Sequence, residues 1–260
     1  MSCIQRAICI TALMSLTFAG LSLADEASDE ALLRISQALG VPADHVDLQE
    51  ARTAAHLEAY PFSATCEGYR VRGLYAKALR QIVQASFDYG DDFEPDPRWA
   101  GLQPNEAMTV HLRSLNMALP KGVRLAKQRE LPMGNWGKRV SLLYERVGGD
   151  LAPLWLSADL NAADHRPYEL TSIDYPLEVD TTPSVPEPAA VATARGATGI
   201  DAKQTYSARL RVWFGDNHEQ VLWWDISFVQ ADRSDLIAKV TIDAHSGEVV
   251  RKAFYEGDQE

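Results

Sequence analysis

From Gly122 onward, apolar residues recur at every second position. That period limits the later part of the chain to strands with one buried face. Val123 and Leu125 share a face in Gly122–Glu130. Val140, Leu142 and Tyr144 alternate with Ser141, Leu143 and Glu145 in Lys138–Val147. Leu154, Leu156 and Ala158 oppose Trp155 and Ser157 in Pro153–Leu160, and Tyr168, Leu170 and Ser172 mark Pro167–Tyr175. The joins Met133–Gly137, Gly148–Asp150 and Asn161–His165 are short and turn-like, so successive runs pair antiparallel. The same alternation returns in Ser207–Phe214, Val221–Phe228, Leu236–Ile242 and Val249–Tyr255.

Before Gly122 the spacing reads as helical. Leu32, Leu33, Ile35 and Leu39 predict a helix over Glu26–Leu39, stopped by Gly40 and Pro42. Leu48, Ala51, Ala55 and Leu57 predict another over Asp47–Tyr60, ending at Pro61. Tyr75, Leu79, Ile82, Val83 and Phe87 predict one over Gly73–Tyr89. A further helix starts near Pro104, with Met108, Leu112, Leu115 and Leu119 as its stripe and Pro120 as its end. Helices first and a meander afterwards is an α+β pattern. The expected architecture is N-terminal helices packed on an antiparallel meander, then a small C-terminal module of one helix and an antiparallel sheet. The cone-shaped NTF2-like, or cystatin-like, layout has the same order of elements, an analogy of order alone. No internal repeat at solenoid spacing is visible.

Pro176–Pro188 changes texture. Four prolines with acids, Ser and Thr read as an extended linker. The predicted division is a signal peptide at 1–24, an α+β domain at 25–176, a Pro-rich linker at 177–187 and a C-terminal module at 188–260. Ser184 and Glu187 have capping-box spacing for a helix over Pro188–Thr198, stopped at Gly199.

Met1–Ile8 carries Arg6 and no acid, Cys9–Phe18 is apolar, and Leu21-Ser-Leu-Ala24 precedes Asp25. This is a secretory signal pattern with cleavage after Ala24, placing the mature protein in the periplasm or outside the cell. The apolar run is short for a membrane span, and no second one follows, so no span is expected after signal removal. The formal charge is −11, and loss of Arg6 makes it more negative, which argues against nucleic acid as a partner. Asp91–Asp96, broken by Pro95, reads as a solvated loop. Only Cys66 lies outside the signal, so no internal disulfide is expected; a buried thiol is preferred over a nucleophile.

The strand-turn-strand at Ile242-Asp-Ala-His-Ser-Gly-Glu-Val249 has a structural reading of its own. Asp243 can accept N–H groups of the turn, and Gly247 can supply a positive φ. These residues, with Val240, resemble the closing motif of the PepSY domain, a module of metallopeptidase propeptides and exported bacterial proteins. The small-residue helix Ala189–Ala197, the strand Leu210–Phe214 and Leu222-Trp223-Trp224 resemble the rest of it, over about Ser184–Tyr255. The resemblance implies a non-enzymatic module that binds or regulates extracytoplasmic proteins, peptidases among them. Nothing follows the module and no His-Glu-x-x-His helix is present, so inhibition within one chain is not expected.

No other motif competes. The six histidines show no ligand spacing, and neither a nucleophile elbow nor a phosphate loop occurs. Asp159-Leu-Asn161-Ala-Ala-Asp164 starts like a calcium loop but lacks its glycine and terminal glutamate, and a hairpin turn is preferred. No catalytic residue, metal ligand or cofactor is assigned. Trp213 and Trp223 alternate away from the aliphatic face of their strands and are candidate protein-contact residues. The leading expectation is an exported binding or regulatory protein. One alternative is a small-ligand protein or enzyme whose pocket, in the first domain, is lined by Tyr144, Trp155, Tyr168 and His111. Another is a structural envelope protein.

Overall fold

The computed structural model describes residues 26–133, 137–147, 151–229 and 236–255. The expected signal peptide with its cleavage site, and the joins at 134–136 and 148–150, lie outside the described residues. The chain divides into two units, Met1–Glu145 with Trp155–Ile173, and Arg146–Leu154 with Asp174–Glu260. The class is α+β, with few helices and antiparallel sheets.

The first unit opens with helix α1 (26–39) and runs on through β1 (Val46–Leu48), β2 (Arg52–Ala54), β3 (Leu57–Cys66), β4 (Tyr69–Ala76) and β5 (Gln81–Tyr89). Two predicted helices are therefore strands. In 47–60 the chain makes a two-residue hairpin between β2 and β3. Ala55 and His56 both have positive φ there, as a type I′ turn requires. In 73–89 the helix-like spacing comes from a hairpin. Four turn residues separate the partners Ala76 and Gln81, and Val83 is an extra residue in β5, since Leu74 faces Gln84 while Tyr75 faces Ile82. That insertion shifts a two-residue period into an apparent 3.6-residue one. Gly73 marks the true state. A Cβ there would lie 2.3 Å from the Gln84 carbonyl oxygen and 2.6 Å from the Phe62 ring, so the strands close over a glycine.

After short helix α2 (Pro97–Ala100), α3 (Pro104–Ser114) starts where the sequence predicts but ends at Ser114, short of Pro120, because Asn116 turns left-handed. Met108, Leu112 and Leu115 are buried, whereas Leu119 is exposed beyond its end. A meander follows: β6 (Val123–Pro132), β7 (Lys138–Arg146), β8 (Leu154–Asn161) and β9 (Pro167–Asp174). Among the described residues nine strands make one sheet in the order β1-β3-β4-β5-β9-β8-β7-β6, with β2 on β3. This replaces the expected helices-then-meander order, and with it the analogy to the cone-shaped layout. The sheet is two meanders joined through their last strands, β5 and β9.

The second unit holds α4 (Glu187–Thr198), β10 (Thr205–Phe214), β11 (Gln220–Val229), β12 (Leu236–Asp243) and β13 (Val249–Phe254), the strands forming one antiparallel sheet in that order. The expected capping box at Ser184 is not formed. The N-cap is Pro186, whose carbonyl receives the N–H groups of Ala189 and Ala190. Ala190, Val191 and Ala194 lay α4 close on Leu222, Ile226, Phe228, Val240 and Ile242, all fully buried. Each such large side chain contributes about 1.5–3 kcal/mol by burial. The Pro-rich stretch is extended and docked on this unit. Gln220 Nε2 donates to the Pro176 carbonyl at 2.6 Å, and Trp224 Nε1 donates to the Val185 carbonyl at 2.8 Å.

One local plan occurs three times. α1, α3 and α4 each end on a left-handed residue: Gly40, Asn116 and Gly199. Nine residues before each stands a fully buried alanine, Ala31, Ala107 or Ala190. A meander follows each helix, and its last hairpin turns through a positive-φ residue: Arg80, His165 or Gly247. In the third copy Val250 is an extra residue in β13, three beyond Gly247, as Val83 is three beyond Arg80. The repeat is one of conformation and burial rather than of residue type.

Candidate functional site

The final hairpin of the second unit is built by Asp243 and Gly247. Asp243 Oδ1 accepts the N–H of His245 at 2.9 Å and of Ser246 at 2.7 Å. Gly247 has φ +78° and donates its N–H to the Asp243 carbonyl at 2.9 Å. Burial alone would raise the Asp243 carboxyl. The N–H groups of Ser246 and His245, with the Ser246 hydroxyl, hold it below its ordinary value. Ala244 is buried, donates to the Leu222 carbonyl, and accepts the N–H of Val185. The turn therefore anchors the docked Pro-rich stretch, and these two residues have their polar atoms engaged in structure.

Asn161 does the same work in the first unit. Its Oδ1 accepts the N–H of Ala163 at 2.8 Å, and its carbonyl receives the N–H of His165 at 3.0 Å. Asp159 pairs with Arg139 at 2.9 Å, and Asp164 Oδ1 accepts the Arg166 N–H. The calcium-loop-like run is a hairpin. Among the described residues no group of three or more His, Cys, Asp or Glu side chains is placed to hold a metal.

The four residues proposed to line a pocket do not converge. His111 and Tyr168 lie at the β8–β9 hairpin, where Asn161 Nδ2 donates to the Tyr168 hydroxyl. Tyr144 faces Leu156 near the other end of the β7–β8 pair, and Trp155 sits on the opposite face from Leu156. His111 is 4% exposed and its Nε2 donates to the His165 carbonyl at 2.8 Å. His165 Nδ1 donates to the Trp99 carbonyl at 3.2 Å, and the Trp99 and His111 rings meet edge to face at 4.7 Å. Burial pushes the His111 imidazole below its ordinary value, which keeps it neutral. It acts as a structural clamp from α3 to the hairpin. An open cleft of about 470 Å³, lined by Arg52, Arg70, Arg72, Phe62, Leu74 and Gln84, contains none of the four. Cys66 is half-buried, and burial pushes its thiol up, away from the thiolate a nucleophile needs.

Trp213 and Trp223 are half-buried on the face of the second sheet away from α4. Trp223 stands between its register partners Arg211 and Asp243, and the Arg211 guanidinium lies 4.9 Å from the Trp213 ring centre. Beside them Asp225 accepts from Arg211 at 3.0 Å, Lys239 at 3.3 Å and Thr241 at 3.0 Å. Arg211 thus shields Trp213, and Asp225 is paired with Arg211 and Lys239.

The sequence gives no warning of the edge next to it. β13 pairs with β12 on one side, and among the described residues no strand pairs on the other. Val249 is 40% exposed, Val250 50%, Phe254 59% and Tyr255 45%. Arg251 and Lys252 lie between them, and Lys252 Nζ reaches the Ala197 carbonyl in the last turn of α4 at 3.4 Å. Aliphatic and aromatic exposure along one edge strand departs from an ordinary polar rim.

Fold and site define a mixed α+β protein of helix-backed antiparallel meanders, in which the β13 edge is open, apolar and basic among the described residues. The C-terminal domain of YpeB from Bacillus megaterium is a solved structure similar to the chain at 12% identity and a TM-score of 0.46, over 88% of this chain and 97% of that one. No family model and no curated protein matches the chain. Among the described residues no helix is long and apolar enough to cross a membrane.

Proposed function

We propose that this is an exported, non-enzymatic protein that binds and regulates a protein outside the cytoplasm, with a peptidase as the partner class. The observation that carries the binding reading is the run of exposed apolar side chains on β13. Exposed apolar surface on one strand marks a protein contact more often than a catalytic centre. The export reading rests on the signal pattern before Ala24. The peptidase class rests on the PepSY resemblance of Asp243–Val249 and the Trp-bearing strand before it. Trp213 and Trp223 are proposed as part of the contact face, since both keep partial exposure on the sheet side that α4 leaves open.

The test is to add the mature chain to exported peptidases of its own host and follow peptide hydrolysis together with complex formation. Slowed turnover with a stable complex is expected. Unchanged hydrolysis, and the absence of any complex with the host's exported proteins, would overturn the proposal.

A further inference from the structure

The two junction strands of the first unit show what the last strand of each copy can do. Five residues beyond the left-handed turn residues Arg80 and His165 stand Ala85 and Leu170, and these two face each other. On either side Gln84 faces Thr171 and Ser86 faces Glu169, so the pairing is symmetric about Ala85 and Leu170. Gln84 and Glu169, each four residues beyond its turn residue, also meet across the junction, with Gln84 Nε2 donating to Glu169 Oε1 at 3.1 Å. Both central residues are fully buried.

The third copy ends on the same strand, and among the described residues no strand pairs beyond it. Counted from Gly247, the residue at the centre of the symmetric junction is Lys252, and the one matching Gln84 and Glu169 is Arg251. The bulge at Val250 matches that at Val83, so the strand leaves its turn with the same local geometry. A second copy paired in the symmetric register would set Lys252 against Lys252, and like charges directly opposite destabilise a strand pair. The positions that make the first unit's junction apolar and acid-accepting are here both basic, on a chain whose net charge is −11.

We propose that β13 is a strand-addition site for an extended segment of another protein that places one carboxylate opposite Lys252 and another beside Arg251. The proposal rests on the binding function above and names the chemistry of its partner. Backbone pairing along the free edge supplies the common affinity, and the two charges select the segment. Lys252 turns from the Ala197 carbonyl to the incoming carboxylate. Val249 and Phe254, on the α4 side of β13, bury against the segment's alternate side chains.

The test uses the full mature chain and two synthetic peptides based on β9, the strand that already performs this pairing. One is Pro167–Asp174 with Leu170→Glu, which offers carboxylates at both positions; the other is the same segment with Glu169→Gln, which offers neither. Binding of the first should be tighter by about tenfold or more, as expected for two charge-assisted contacts at a strand edge. The Arg251→Glu/Lys252→Glu chain should lose or reverse the preference, with Lys252→Gln intermediate, and its melting temperature should stay at that of the wild type. Equal binding of both peptides, or no binding of either at millimolar concentration, overturns the proposal. So does a wild-type dimer that Arg251→Glu/Lys252→Glu dissolves, since the occupant would then be a second copy. A host protein captured equally by wild type and the double variant leaves the regulatory function standing and removes β13 as its site. Peptide binding without any host partner keeps the site and removes that function.

Discussion

His111 offers the sharpest probe of the first unit. Replacing it by leucine keeps an apolar volume under α3 but removes the Nε2 donor, leaving the His165 carbonyl without that bond. An unsatisfied buried carbonyl costs about 1–3 kcal/mol, and the lost edge-to-face contact with Trp99 about 0.5–1.5 kcal/mol more, less what leucine regains by burial. A net loss of about 1–3 kcal/mol is expected for His111→Leu at pH 7.5. The pH dependence separates this from simple packing. Burial lowers the folded pKa of His111, so the unfolded chain takes up its proton first as pH falls. Stability is therefore full above the unfolded value near 6.5, and falls as pH drops below it toward the folded value. One proton across that window limits the loss to about 1.4 kcal/mol per pH unit. Urea unfolding followed by tryptophan fluorescence at pH 7.5 and 5.5 reads it directly. The wild type should lose more stability between these values than His111→Leu. An equal slope in both proteins would refute the clamp as described.

Four further outcomes follow from the hairpins and the sheet. Asp243→Ala should cost about 1–2 kcal/mol in thermal or urea unfolding, because two turn N–H groups lose their acceptor. Asp243→Asn should hold at neutral pH, as Asn161 does in the equivalent turn, and should flatten the loss of stability that the wild type shows as pH falls below the ordinary aspartate range, since the depressed carboxyl stabilises only while ionised. Gly73→Ala should cost about 3 kcal/mol or more, or prevent folding, because its Cβ meets the Gln84 backbone at 2.3 Å; a soluble variant with an unchanged midpoint would contradict the strand spacing. Ala55→Asn with His56→Gly should stabilise the β2–β3 hairpin by about 1 kcal/mol, since both sites have positive φ, and a lower melting temperature would argue against a type I′ turn.

Legibility in the sequence followed the physics of each signal. Strands β7, β8, β11 and β12 were readable because one face is buried and the other is not, as Val140 and Leu142 against Leu143 show; β6 and β13 have no buried face, and Leu125 on β6 is exposed. The DAHSGEV hairpin was readable because Asp243 and Gly247 carry their turn chemistry in their side chains. Of its first-unit counterparts, the Asn161–His165 turn was readable through Asn161, and the turn at Arg80 was hidden. Ala76 has no acceptor, and Arg80 takes positive φ without being glycine, so tertiary packing rather than local preference sets that turn. The same masking made Gly73–Tyr89 look helical, because its hairpin and the bulge at Val83 imitate a 3.6-residue period. The threefold plan could be seen only through burial and dihedrals, since its shared residues reduce to one alanine per helix. The open edge at β13 had no sequence signal at all. Which strand lacks a neighbour is a property of sheet order, and Arg251 and Lys252 look like any solvated pair until Ala85 and Leu170 show what that place does when it is filled.

The most direct test of the whole account is amide hydrogen exchange on the mature chain, free and with its exported partner or the doubly acidic β9 peptide. New protection should fall on β13 and on no strand of the first unit, with Trp223 and its neighbours changing less. Protection that appears in the first unit, or a complex that leaves the β13 amides exchanging as in the free protein, would contradict it.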